Sequence, residues 1–156
     1  MVTLERIKKG QVRPELELMN SDPYFNWVSK GKKQFTLEEA LEEIYESEAL
    51  GTERYFIVLN DERIGILEFL MKHPKDDQTW LGLLLIGKPW QRKGYGTQTF
   101  KLFLAMMQER TVSCIRIGVT VNNEPAHHFW IRQGFKPIDS NQKEDGREII
   151  IYERVI

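Results

Sequence analysis

The most chemically loaded stretch of the chain is "IGKPWQRKGYGTQTF", residues 86 to 100. It sets Gly94 and Gly96 among Gln91, Arg92, Lys93, Tyr95 and Thr97, between an apolar run and a helix-patterned one. Glycine in a helical turn costs about 1 kcal/mol against alanine, so two of them at a helix start need a reason. A helix N-terminus carries unpaired N–H groups and partial positive charge, which suits an anion, phosphate above all. Phosphate oxygens approach closely only where no Cβ intervenes, and glycine reaches the backbone angles that turn several N–H groups inward. Gln91, Arg92, Lys93 and Thr97 would add side-chain donors at the rim. The same residues would also serve a plain strand-to-helix turn with solvated cations. The Gly-Lys-Ser/Thr ending of a Walker loop is absent, and a dinucleotide fingerprint would need a third glycine where Thr99 stands.

The elements that must position this loop follow from hydrophobic period and turn residues. "LERI" (4–7) reads as a short first strand, and 13–35 as irregular, with a short helix around Glu15–Met19. "FTLEEALEEIYESEAL" (35–50) is a helix: Thr36 and Glu39 have capping-box spacing, and Leu37, Ala40, Leu41 and Ile44 form an apolar stripe. A hairpin follows, from "RYFIVL" (54–59) through the turn "NDER" to "IGILEFLM" (64–71). "TWLGLLLI" (79–86) is apolar throughout, as a strand buried on both faces at a sheet centre would be. Phe100, Phe103, Leu104 and Met107 make 95–109 an amphipathic helix. "SCIRIGVTV" (113–121) alternates as a half-buried strand, and 122–133 is a short helix with Asn123 as N-cap, Pro125 in its first turn and Gly134 as terminator. "FKPI" (135–138) and "REIIIYERV" (147–155) are two last strands around a polar loop. Two strand–helix–strand units, 79–121 and 113–138, imply mixed pairing.

Composition narrows the classes. The 156 residues fit one domain, 1–156, with 41% hydrophobic and 29% charged residues, ordinary for a globule. A net charge of −1 argues against general nucleic-acid affinity. A single cysteine, Cys114, precludes an internal disulfide and reads as a small buried residue. The start "MVTLERIKKG" shows no apolar leader, and "WLGLLLI" is too short to cross a bilayer. The expectation is a cytoplasmic protein without a membrane partner. No histidine pair stands four apart with a carboxylate partner, so no metal site is expected; His127 and His128 read as helix-surface residues.

"QRKGYG" (91–96) resembles the Q/R-x-x-G-x-G/A pyrophosphate loop of the GNAT superfamily of N-acetyltransferases. A second block, Asn123, Ala126, Phe129 and "QGF" (133–135), is similar to that family's N-x-x-A-x-x-Φ-Y-x-x-x-G-F, and the likeness is strongest over 79–138. The resemblance implies an α+β fold: a central mixed, mostly antiparallel sheet of six to seven strands, flanked by about four helices, with a splay between the fourth and fifth strands. It implies acetyl-CoA as co-substrate. Backbone groups of Leu84, Leu85 and Ile86 would pair with its pantetheine arm, Gln91, Arg92, Lys93, Gly94, Tyr95, Gly96 and Thr97 would hold its pyrophosphate, and Asn123 would contact the pantetheine. The activity implied is transfer of an acetyl group to a primary amine, on a small molecule or a peptide, by direct attack. The resemblance leaves a homodimer open.

The chain departs from the family at Trp130, where the usual proton-donating tyrosine is missing; an indole N–H donates a hydrogen bond but has no useful acidity. No carboxylate lies within 79–86, where many members place the base. Glu68 on the preceding strand is the candidate base, its other reading being a surface acid on an edge strand. These departures keep a second function in view, a catalytically silent acyl-CoA-binding sensor or partner module. Six glutamates between 38 and 48 read as a solvated face or as an acidic rim that draws a cationic amine. Tyr24, Phe25 and Trp27 would line the acceptor pocket or form satellite core.

Overall fold

The computed structural model describes all residues, 1–156. In chain order the elements are β1 (Thr3–Arg6), α1 (Val12–Asn20), α2 (Pro23–Lys30), α3 (Leu37–Leu50), β2 (Glu53–Leu59), β3 (Glu62–Leu70), β4 (Thr79–Ile86), α4 (Tyr95–Glu109), β5 (Cys114–Thr120), α5 (Glu124–Arg132), β6 (Lys136–Gln142) and β7 (Glu148–Val155). A short 3-10 turn, Lys88–Trp90, leads from β4 toward α4. The seven strands form one sheet in the order β1-β2-β3-β4-β5-β7-β6. Every pairing is antiparallel except β4 with β5. No helix is long and apolar enough to cross a membrane.

Strand alternation divides the core between the two sheet faces. Phe56, Ile66 and Leu85 cluster with Leu18 of α1 on one face. Ile57, Leu67, Phe69 and Ile117 join Phe100, Phe103 and Met107 of α4 and Trp130 of α5 on the other. Asn60 (φ 49°) and Asp61 (φ 66°) close the β2–β3 hairpin with both central residues left-handed, as a two-residue loop requires.

Two expectations change. Residues 13–35 are not irregular: they carry α1 and α2, the latter started by Asp22, whose Oδ1 accepts from Phe25 N–H at 3.1 Å, with Pro23 at the first helical position. The first half of the polar loop after residue 138 is strand, because β6 pairs with β7 out to Gln142. With α1 and α2 both formed, five helices flank the sheet, in keeping with the expected number of about four. The α3 capping box of Thr36 and Glu39 is present in both directions. Of its apolar stripe, though, only Ala40 is fully buried, while Leu37 and Leu41 stay at the surface.

Candidate active site

The site begins where the sheet opens. β4 and β5 pair only at Thr79 with Ile115 and Trp80 with Arg116. Beyond Trp80 they part, β4 staying with β3 and β5 with β7. The β3–β4 register slips between Glu68 and Phe69 and leaves Gly82 unpaired, a bulge that bends β4 away from β5. Gly87 N–H donates to Ile64 C=O at 2.7 Å, on the β3 side. Backbone groups alternate between the two edges of a strand, so Leu85 also faces β3. A Cβ on Gly65 would collide with the Leu85 carbonyl, which fixes that carbonyl on the same side. Leu84 and Ile86 therefore present their N–H groups to the splay. The cleft so formed encloses about 1420 Å³, more than a drug-sized ligand needs.

At one end of the cleft lies the glycine loop. Arg92 (φ 61°) and Gly94 (φ 86°) are left-handed, and Lys93 between them is not. Alternating handedness turns successive N–H groups to one side, the geometry of an anion-binding nest. Gly94 is the N-cap of α4 and supplies no side-chain cap. None of the six backbone N–H groups from Arg92 to Thr97 donates within the chain; the first bonded one is Gln98 N–H, to Gly94 C=O at 3.1 Å. The two glycines have different reasons. Gly94 needs its positive φ, and a Cβ there would meet nothing; a Cβ on Gly96 would touch the Phe129 ring at 3.4 Å. Gln91 does not face the nest with a free amide: its Nε2 donates to Asp22 Oδ2 at 2.8 Å and Ile86 C=O at 2.9 Å. It ties the loop to the start of α2. Ser21 Oγ adds a second tie, accepting from Lys88 N–H at 3.1 Å.

The start of α5 faces the loop across the cleft. Asn123 is 6% exposed, and its Oδ1 accepts from Ala126 N–H at 3.4 Å. Its amide nitrogen finds no acceptor in the chain, nor does the indole N–H of Trp130, 8% exposed. No fully buried side-chain nitrogen or oxygen lacks a partner, so both donors reach accessible space, and both residues line the cleft. The Trp130 ring is wedged edge-on among Phe100, Phe129 and Phe135, with centroids 4.8 to 5.5 Å away. His127 is no free surface residue: Nδ1 lies 2.7 Å from Tyr152 Oη and Nε2 2.9 Å from Thr120 C=O. An N–H facing a carbonyl places the proton on Nε2, so Nδ1 accepts from the tyrosine. His128 alone of the pair lines the cleft.

The other end of the cleft holds charge. Glu68 is not an edge acid: β3 lies between β2 and β4, and the Glu68 side chain is 19% exposed. It stands opposite Arg54 across β2–β3, with Arg54 Nε 3.4 Å from Glu68 Oε2. Nη2 of the same guanidinium donates to Glu15 of α1, which is 2% exposed. Burial raises Glu68 above the ordinary carboxylate range against the pull of Arg54, and pushes Glu15 up to about 7. Glu43 and Glu46 of α3 line the same end, with Tyr24 and Phe25 of α2; Trp27 points outward, 54% exposed. Glu15, Arg54 and Asp22 escape sequence reasoning, since their partners lie 39, 14 and 69 residues away. Cys114 is half-buried beside Glu153, which with burial raises its thiol to about 11, unreactive at neutral pH. No group of three His, Cys, Asp or Glu side chains is gathered to hold a metal ion.

The acetyltransferase (GNAT) family model matches residues 16–135. The chain belongs to the GNAT acetyltransferase family. Its members are enzymes that transfer an acyl group from CoA, and the splayed sheet and glycine loop of this acetyltransferase lie within the matched span. Solved structures agree in fold. An acetyltransferase from Thermus thermophilus superposes with a TM-score of 0.84 at 21% identity, covering 100% of this chain and 97% of its own. The Salmonella typhimurium acetyltransferase that modifies the N-terminal serine of ribosomal protein L7/L12 gives 0.82 at 16%, covering 99% and 95%. A GNAT acetyltransferase from Elizabethkingia anophelis with acetyl-CoA bound gives 0.72 at 15%, covering 99% and 98%. No curated protein matches this acetyltransferase in sequence.

Proposed function

We propose that the chain is an N-acetyltransferase that passes an acetyl group from acetyl-CoA to a primary amine by direct attack. One observation carries the reading: the N–H groups from Arg92 to Thr97 are unpaired, and all of these residues but Lys93 line the cleft whose other end holds Glu68. In this reading the nest and the positive end of α4 take the pyrophosphate. The pantetheine runs along β4, paired with Leu84 and Ile86, while Leu85, turned to β3, offers it no backbone group. The free amide of Asn123 donates to the same arm.

The amine arrives mostly protonated at neutral pH, and Glu68 accepts its proton. The neutral nitrogen attacks the thioester carbonyl carbon, and the C–N bond forms. A β4 N–H, of Leu84 or Ile86, meets the charge that grows on the carbonyl oxygen. Collapse breaks the C–S bond, and CoA leaves as thiolate or takes the second amine proton through water. Trp130 walls this end and supplies a hydrogen bond at most. Glu43, Glu46 and Glu68 support a cationic acceptor; the serine N-terminus modified by the Salmonella protein is one amine of that class.

Trp130 in the tyrosine's place favours the second reading, a silent acyl-CoA-binding module. Acetyl-CoA incubated with a panel (a serine-initiated peptide, lysine, spermidine and kanamycin) separates the two. Thiol release that needs an amine, with an acetylated product by mass spectrometry, supports transfer. Saturable acetyl-CoA binding without amine-dependent release from any member supports the silent module.

A further inference from the structure

Glu15 takes no part in the chemistry above, yet it is among the most buried charged residues of the chain and lies one guanidinium away from the candidate base. Arg54 and Glu68 are cross-strand partners, so the β2–β3 register alone would give an ordinary one-to-one ion pair. Instead α1 inserts Glu15 against Nη2 of the same guanidinium, at 2% exposure, where an unpaired carboxylate is not tolerated. Two carboxylates then share one cation. The other charged groups that face the trio are Glu48 of α3 toward Glu15, and Glu43 of α3 and Lys30 of α2 toward Glu68.

We propose that Glu15 is a positioning residue for Glu68: by anchoring Arg54 from the buried side, it holds the Glu68 carboxylate at the cleft and stops the guanidinium from neutralising it. The inference rests on the reading of Glu68 as base. Its logic is competitive. A carboxylate that owns a whole guanidinium is a weak base, because the proton must displace the cation's stabilisation. A carboxylate that shares its cation with a second anion binds a proton more readily, and a base works best when its pKa is near the working pH. Glu15 and Glu68 then titrate as one coupled pair. Burial, which raises both groups, acts in the same direction.

The test follows the side-chain 13Cδ resonances of glutamates in the 13C-labelled full chain against pH, assigned with Glu15→Gln and Glu68→Gln. In the wild type the two carboxylates are expected to titrate in shared, two-step curves. In Glu15→Gln the Glu68 curve becomes a single step, moved to lower pH by about one unit. Independent single-step curves in the wild type overturn the proposal without any variant having to fold, and so does an unmoved Glu68 curve in folded Glu15→Gln. Kinetics with the best amine of the panel separate this from the parent reading. Glu68→Gln is expected to lose about a hundredfold or more in kcat/KM. Glu15→Gln should keep most of the plateau rate, with its acid limb moved the same way as the Glu68 curve. Full activity in Glu68→Gln removes the base assignment and the proposal with it. An inactive Glu68→Gln beside an unmoved acid limb in Glu15→Gln removes the positioning role alone.

Discussion

Replacing Gly96 by Glu should push stability and cofactor affinity in opposite directions. Gly96 is in the first turn of α4, where its φ is not positive, so any side chain fits the backbone. A Cβ would touch Phe129 at 3.4 Å, ordinary contact, so the fold tolerates it. Leaving glycine in a helix gains up to ~1 kcal/mol, and an anion at the N-terminus adds roughly 0.3–1 kcal/mol. The melting temperature should hold or rise. Affinity should fall for the same physical reason. The new carboxylate competes for the N–H groups of Arg92 to Thr97 and repels the pyrophosphate. At a separation of ~5 Å, one charge against another costs about 1 kcal/mol in a water-like medium and about 3 kcal/mol at an effective dielectric of 20. That is roughly a five- to 150-fold weaker Kd. Isothermal titration with acetyl-CoA, beside thermal melting, reads both. Unchanged affinity in a stably folded variant would refute the nest as the pyrophosphate site. A joint loss of stability and affinity would point instead to a clash with Phe129.

Three further outcomes follow from other parts of the site. Attraction between the Glu43–Glu46 rim and a cationic amine is exposed and should fade with salt, so kcat/KM should drop between low and moderate ionic strength; a flat or rising value removes the rim from the account. Trp130→Phe deletes the indole N–H and keeps a smaller aromatic wall, so kcat should fall less than about tenfold, under ~1.4 kcal/mol, whereas Trp130→Ala opens a hole among Phe100, Phe129 and Phe135 and should cost more; a hundredfold loss in the Phe variant would show that the N–H acts on the transition state. Glu15, raised from 4.5 to about 7 in the fold, holds a proton that the unfolded chain gives up in that range, so its contribution to stability is full below pH 4.5 and is lost as pH rises to about 7. Urea midpoints of Glu15→Gln should therefore gain on the wild type across that window, and a constant difference would contradict the shift.

Much of this architecture is legible because local pattern and tertiary role coincide. The continuous apolarity of 79–86 does mark a central strand, and the pair Gly94, Gly96 does mark a helix start with bare N–H groups. The α1–α2 region was obscured by composition. "PYFNWVSK" is rich in aromatic residues that are poor helix formers, and its real signals are punctual: Asp22 with Pro23 at the start and Gly31 at the end. The continuation of β6 past Ile138, Asp139–Gln142, is polar and exposed on an edge strand, so no hydrophobic alternation could announce it. Glu68 did carry a signal, a lone acid inside "IGILEFLM", which in a buried strand demands a cation. That the cation is Arg54, and that Glu15 shares it, follows only from the packing of α1 on the sheet.

The placement of acetyl-CoA along β4 and the glycine loop is tested most directly by backbone amide shifts of the 15N-labelled chain during titration with acetyl-CoA. The account predicts that the largest changes fall on Arg92 to Thr97, on Leu84 and Ile86 but not on Leu85, and on the side-chain amide of Asn123. Changes confined to the separate pocket around Glu5, Glu17 and Arg63, or saturation with the amides of residues 92–97 unmoved, would contradict it.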